Sequence, residues 1–69
     1  MRLGEFIKEY RKSNVITQNE MADRLGITKT ALSYVESHKR KAGPKIMKAI
    51  ARELNLDIRE VYRLNENNE

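Results

Sequence analysis

With 69 residues, no cysteine and a single histidine, the chain has the length of one compact domain and lacks the ligands for a disulfide framework or a zinc site, so its stability must come from apolar packing. Its net charge of +4 points to an anionic partner, and the charge is unevenly placed. Residues 29–48 carry six basic and one acidic side chain, against five and four in residues 1–28 and three and five in residues 49–69.

The apolar positions recur at helical spacing throughout, and no strand pattern or repeat interrupts them. Leu3, Ile7 and Tyr10 mark a first amphipathic helix that stops near Ser13 and Asn14, with Phe6 off the inward stripe and partly exposed. Thr17 and Glu20 form a capping box for a short second helix whose Met21, Ala22 and Leu25 share one face, and Gly26 ends it. Ile27 then turns inward and Thr28 caps a third helix, which runs to about Ser37 and buries Leu32 and Val35. Gly43 and Pro44 open a fourth, with Met47, Ile50, Ala51 and Leu54 at i, i+3, i+4, i+7.

Asn55 can close that helix in a left-handed conformation, and Asp57 with Glu60 predicts a second capping box ahead of Ile58, Val61, Tyr62 and Leu64. A helix this short seldom buries every apolar residue, which leaves Tyr62 or Leu64 for self-association. The expected division is a domain over residues 1–64 and a flexible polar tail over residues 65–69, since Asn65 to Glu69 include no apolar anchor.

Two capped helices joined by a glycine-containing turn form a helix-turn-helix when the second projects a polar face, and the third helix here does so. Lys29, Thr30, Ser33, Tyr34 and Ser37 lie opposite Leu32 and Val35, and the helix's one acid, Glu36, falls near its end. Lysine can donate to guanine O6 and N7, threonine can touch a thymine methyl, and tyrosine can hydrogen-bond or pack at the groove floor. The start of the second helix, with Gln18 in its first turn, suits a phosphate oxygen, and Lys39, Arg40 and Lys41 suit the flanking backbone. His38 reads as a loop residue beside them, and Met21 and Met47 as core.

The stretch TQNEMADRLGITKTALSYVESHKR, followed by ARELNLDIREVY, resembles the phage repressor and Cro-type (Xre-like) helix-turn-helix family, over roughly Leu3 to Leu64. The resemblance implies an all-α, compact five-helix, lambda-repressor-like DNA-binding domain with the helix-turn-helix in its second and third helices. It implies Lys29, Thr30 and Tyr34 as principal base readers assisted by Ser33. It also implies that Ser37 assists alongside Ser33, that Gln18 contacts a phosphate, and that Arg11 and Glu36 form a structural ion pair; with Gln18, the expected phosphate contacts are Thr28, Ser37, Lys39, Arg40 and Lys41. The chain departs from the family at His38 and Asn55, where glycine is usual, although both tolerate positive φ. It also carries Pro44 later than the family's proline near Ala42.

These readings predict a sequence-specific regulator, a repressor, that binds double-stranded DNA as a homodimer with one recognition helix per half-site. The alternative is a protein-interaction module, such as an antirepressor or antitoxin, whose third helix would be expected to be apolar or acidic. An enzyme is not expected, because no constellation for nucleophilic, metal or phosphoryl chemistry is present, and neither a cofactor nor a metal is implied. Short apolar runs and the lack of a charged-then-apolar leader predict a cytoplasmic protein with no membrane partner.

Overall fold

The computed structural model describes residues 1–68. Five helices follow one another: α1 (Leu3–Ser13), α2 (Gln18–Leu25), α3 (Lys29–Glu36), α4 (Pro44–Leu54) and α5 (Ile58–Glu66). Among the described residues there is no strand, and no helix is long and apolar enough to cross a membrane.

The first four helices end in the same way. A left-handed residue stands just past each one, namely Val15 (φ 54°), Gly26 (φ 69°), His38 (φ 64°) and Asn55 (φ 55°). The following N–H then reaches back five residues, from Ile16 to the Arg11 carbonyl (2.8 Å), Ile27 to Ala22 (3.0 Å), Lys39 to Tyr34 (2.9 Å) and Leu56 to Ala51 (2.9 Å). This closure satisfies carbonyls that have no intrahelical partner and reverses the chain within about three residues. At the end of α1 the role falls to Val15, while Asn14 contributes through its side chain, donating to the Tyr10 carbonyl at 2.8 Å. A β-branched residue is a poor occupant of that conformation.

The starts are equally explicit. Thr17 Oγ1 accepts from the Glu20 N–H at 3.1 Å, and the Glu20 carboxylate accepts from the Thr17 N–H at 3.2 Å. The Thr17 backbone N–H, and after it the Thr17 hydroxyl, hold the Glu20 carboxyl below its ordinary range. Thr28 Oγ1 accepts from Ala31 at 3.0 Å, and Pro44 occupies the first turn of α4. The second capping box does not form at α5. Asp57 accepts instead from the Arg59 N–H at 2.8 Å and from its guanidinium, which pushes its carboxyl down to about 2, while Glu60 turns to Arg63. Arg63, three residues on, takes the Glu60 carboxylate away from the Asp57 N–H, while Asp57 shares its own carboxylate between the Arg59 N–H and the Arg59 guanidinium.

The apolar faces meet in one core built from Leu3, Ile7, Ile16, Met21, Ala22, Leu25, Leu32, Val35, Ala42, Met47, Ile50, Leu54, Val61 and Leu64. Helix α1 packs on α3 and α5, and α4 packs on α2 and α5. Phe6, Ile27 and Ala51 are half-buried at its margin. Leu64 is fully inside, so it is not available to a partner; Ile58 and Tyr62 are the apolar residues that α5 leaves outside, at 37% and 47% exposure.

The polar end of the chain is packed where fraying was expected. Asn65 and Asn68 are buried. Asn65 Oδ1 accepts from the Ala42 N–H at 2.8 Å and its Nδ2 donates to the Ala42 carbonyl at 2.9 Å. Asn68 Oδ1 accepts from the Gly4 N–H at 2.7 Å, and its Nδ2 donates to the carbonyls of Val35 (3.1 Å) and Arg40 (3.0 Å). Carboxamides anchor this segment by satisfying buried backbone groups, which an apolar side chain cannot do. Glu69 of the expected tail lies outside the described residues.

Two features fix α3 against the rest. Gly4 lets α1 approach so closely that a Cβ there would run into the Val35 carbonyl oxygen. Beside it, Arg11 forks onto Glu36, with Nε donating to Oε2 at 2.9 Å and Nη2 to Oε1 at 3.0 Å, and its Nη1 donates to the Ile16 carbonyl at 3.1 Å. The Glu36 side chain is 2% exposed, so the guanidinium replaces the water the carboxylate has lost.

Substituting Val15→Asn removes the left-handed strain at a residue that contributes no packing, and is expected to stabilise the fold by about 1 kcal/mol in urea denaturation. Gly4→Ala should cost about 1 to 3 kcal/mol in the same assay, because backbone rather than a flexible side chain must yield. Arg11→Met strands the buried carboxylate and should cost about 3 to 5 kcal/mol, whereas Arg11→Met with Glu36→Leu should recover much of that loss. A double variant no more stable than Arg11→Met would contradict the assignment.

Candidate nucleic-acid interface

Helix α3 is amphipathic in the sense a groove-reading helix requires. Leu32 and Val35 are 1% exposed, while Lys29, Thr30 and Tyr34 face outward and Ser33 is half-buried between the two sides. Lys29 and Thr30 fall in the first turn of α3, where the unpaired N–H groups of a helix start add to the positive potential. Thr28 spends an acceptor lone pair on its own helix, yet its hydroxyl proton stays available to an outside oxygen. Ser37, exposed at the far end, donates to the Tyr34 carbonyl at 3.4 Å.

The turn after α3 brings Arg40 back over the same surface. Lys39, Arg40 and Lys41 are all exposed, and the Arg40 guanidinium lies 4.8 Å from the centroid of the Tyr34 ring. That distance is a cation–π contact, which restrains both side chains and places a guanidinium beside a potential base reader. Sequence spacing alone did not bring Arg40 and Tyr34 together. The signal lies in His38, whose left-handed conformation reverses the chain between them.

Charge on this surface is uncompensated. Arg11, Arg24, Arg59 and Arg63 each have a carboxylate partner. Among the described residues Lys29, Lys39, Arg40 and Lys41 have none. The acid that could oppose them, Glu36, is buried and neutralised by Arg11, so α3 presents no negative charge outward. A polyanion approaching this face meets only cations and hydroxyls.

Gln18 stands differently from the others. It is half-buried, and its Nε2 donates to Glu36 Oε1 at 3.3 Å, so the side chain belongs to the Arg11–Glu36 network that ties α2 to α3. What the start of α2 presents outward is its backbone: the N–H groups of Gln18 and Asn19 precede the first intrahelical bond. The structure therefore gathers Thr28, Lys29, Thr30, Tyr34 and Ser37 with Lys39, Arg40 and Lys41 along α3 and the turn after it, with Ser33 only partly accessible and Gln18 turned to the interior.

The sequence pattern described as "Helix-turn-helix" matches residues 7–61, which span α2 and α3 together with most of the surrounding bundle. The ImmF control region 10 kDa protein of Bacillus phage phi105 is 39% identical over 57 residues, a stretch that covers 83% of this chain and 63% of that protein. The chain thus spans less than two thirds of the length of that relative. No solved structure matches the chain. The two capped helices, the turn through Gly26 and the extent of the match lead to one assignment: the chain belongs to the helix-turn-helix family, of the phage repressor and Cro type.

Proposed function

We propose that this protein is a sequence-specific repressor that binds double-stranded DNA in the cytoplasm as a homodimer, laying α3 in the major groove of each half-site. The observation that carries this reading is the outward face of α3, which combines Lys29, Thr30 and Tyr34 with no exposed acid and continues into the unpaired cations of residues 39–41. In it, Lys29, Thr30 and Tyr34 read base edges with help from Ser33. Thr28, Ser37 and the loop cations hold phosphates, and Gln18 supports the interface through its backbone N–H and by fixing α2 on Glu36. Occupancy of a promoter by such a dimer excludes polymerase, and the control-region name of the phage relative supports a role in gene regulation.

The dimer is assigned to the outer face of α5, where Ile58 and Tyr62 are exposed between Lys48, Arg59, Arg63 and Glu66. An apolar pair rimmed by both signs of charge suits a self-complementary contact across a two-fold axis. Two recognition helices related by that axis would meet half-sites about one helical turn apart.

A site selected from a random duplex pool should be preferred over scrambled DNA by about 10³-fold or more at near-physiological salt. On that site Tyr34→Ala or Thr30→Ala should cost about 1 to 3 kcal/mol while leaving scrambled DNA nearly unaffected. Lys41→Ala should weaken both duplexes alike and flatten the salt slope by about 0.9. Equal losses on the two duplexes for Tyr34→Ala and Thr30→Ala would refute the base-reading roles. Separately, Tyr62→Glu should shift sedimentation toward monomer and reduce binding to the two-half-site duplex far more than to a single half-site. An unchanged dimer would move the interface elsewhere.

A further inference from the structure

Of the buried polar side chains, Glu36 is accounted for by Arg11, whereas Asn65 and Asn68 form no ion pair and bond mostly to main-chain groups distant in sequence. Their side-chain partners lie in the first turn of α1, the last turn of α3, the irregular segment between α3 and α4, and at Met47 of α4. That irregular segment carries Lys39, Arg40 and Lys41. The Arg40 carbonyl is held by Asn68 at 3.0 Å and both backbone groups of Ala42 are held by Asn65, so the anchors stand on either side of Lys41. Ala42 itself is buried at 4% exposure, while the three cationic side chains remain outside. The main chain is pinned and the charges are free.

We infer that Asn65 and Asn68 are positioning residues for DNA binding, which hold the 39–41 segment in a phosphate-ready path before DNA arrives; the inference rests on the reading of that segment as a phosphate grip. A loop without regular structure would otherwise have to be ordered by the DNA, and that ordering would be subtracted from the affinity. Each carboxamide uses both of its N–H groups, Asn65 on the Ala42 carbonyl and Met47 Sδ, Asn68 on Val35 and Arg40, and each uses its oxygen on a backbone N–H. Neither carboxamide can be inverted without setting like groups against one another. The clamp specifies one loop path, and Asn68 connects that path to the last turn of the recognition helix through Val35.

The test is binding of a short random-sequence duplex at low salt, at a temperature where circular dichroism shows every variant folded. Asn65→Ala, and Asn65→Leu as a variant that keeps the branched side-chain skeleton without its hydrogen bonds, should each lower affinity about threefold to tenfold with an unchanged salt slope, because the same phosphates are met by a looser loop. In a Lys39→Ala, Arg40→Ala, Lys41→Ala background the same substitutions should have no further effect. A loss of equal size in both backgrounds would mean a purely structural role and would overturn the inference. Equal binding by the wild type and the triple-alanine variant would overturn the phosphate grip itself, and the inference with it. Loop-dependent binding that is indifferent to Asn65 would overturn the inference alone. The wild type offers an independent reading: the Ala42 amide should exchange hydrogen as slowly as core helix amides without DNA, and an amide protected only after DNA is added would overturn pre-positioning.

Discussion

A carboxylate at the end of α3, almost completely removed from water, sets the terms for the rest of this fold. Glu36 can be buried only if something replaces its hydration, and Arg11 from α1 does so with two parallel hydrogen bonds while Gln18 from α2 adds a third. One side chain thus fixes three helices relative to each other. Removing an acid from the outer surface of α3 is the electrostatic counterpart of the same act, since the face left behind is wholly cationic or neutral. Whether such a pair adds net stability over a hydrophobic replacement is a separate matter from the register it imposes.

Around that anchor the helices are short, and short helices depend on how they begin and end. Thr17, Thr28 and Asp57 supply the starts, and four left-handed residues supply the stops. Glycine occupies one of those stops; histidine, asparagine and valine fill the others. The histidine and asparagine are tolerable substitutes, and the valine is a cost the fold absorbs in exchange for turning α1 into α2.

Much of this was legible in the sequence because it depends on local chemistry. Thr17 with Glu20, Thr28 before an apolar period, Gly26, and Asn55 after Leu54 are signals that neighbouring residues complete, and the core positions follow from helical spacing. The outward face of α3 was legible for the same reason, being the complement of Leu32 and Val35. Features that depend on distant partners were not. Asp57 and Glu60 have the spacing of a capping box, but the competing arginines are decided by side-chain geometry. Gln18 reads as a surface amide until Glu36, eighteen residues on, is placed beside it. Asn65 and Asn68 read as a solvated end because composition counts apolar anchors and cannot count backbone groups awaiting a carboxamide. Leu64, offered to a partner by its position in a short helix, is claimed by the core instead.

The hydrogen bond from Gly4 to Asn68 spans 64 residues of a chain otherwise organised by nearest-neighbour helices. Contacts that distant close the largest loop and so form only once the intervening bundle is in place, and their loss can precede global unfolding. Breaking one carboxamide's bonds frees the start of α1, the carbonyl of Val35 and the carbonyl of Arg40 in a single event. The stiffness of the basic surface is thus tied to a seam between Gly4 and Asn68, and loosening that seam would slacken the Arg40 carbonyl's hold while the hydrophobic centre stayed shut.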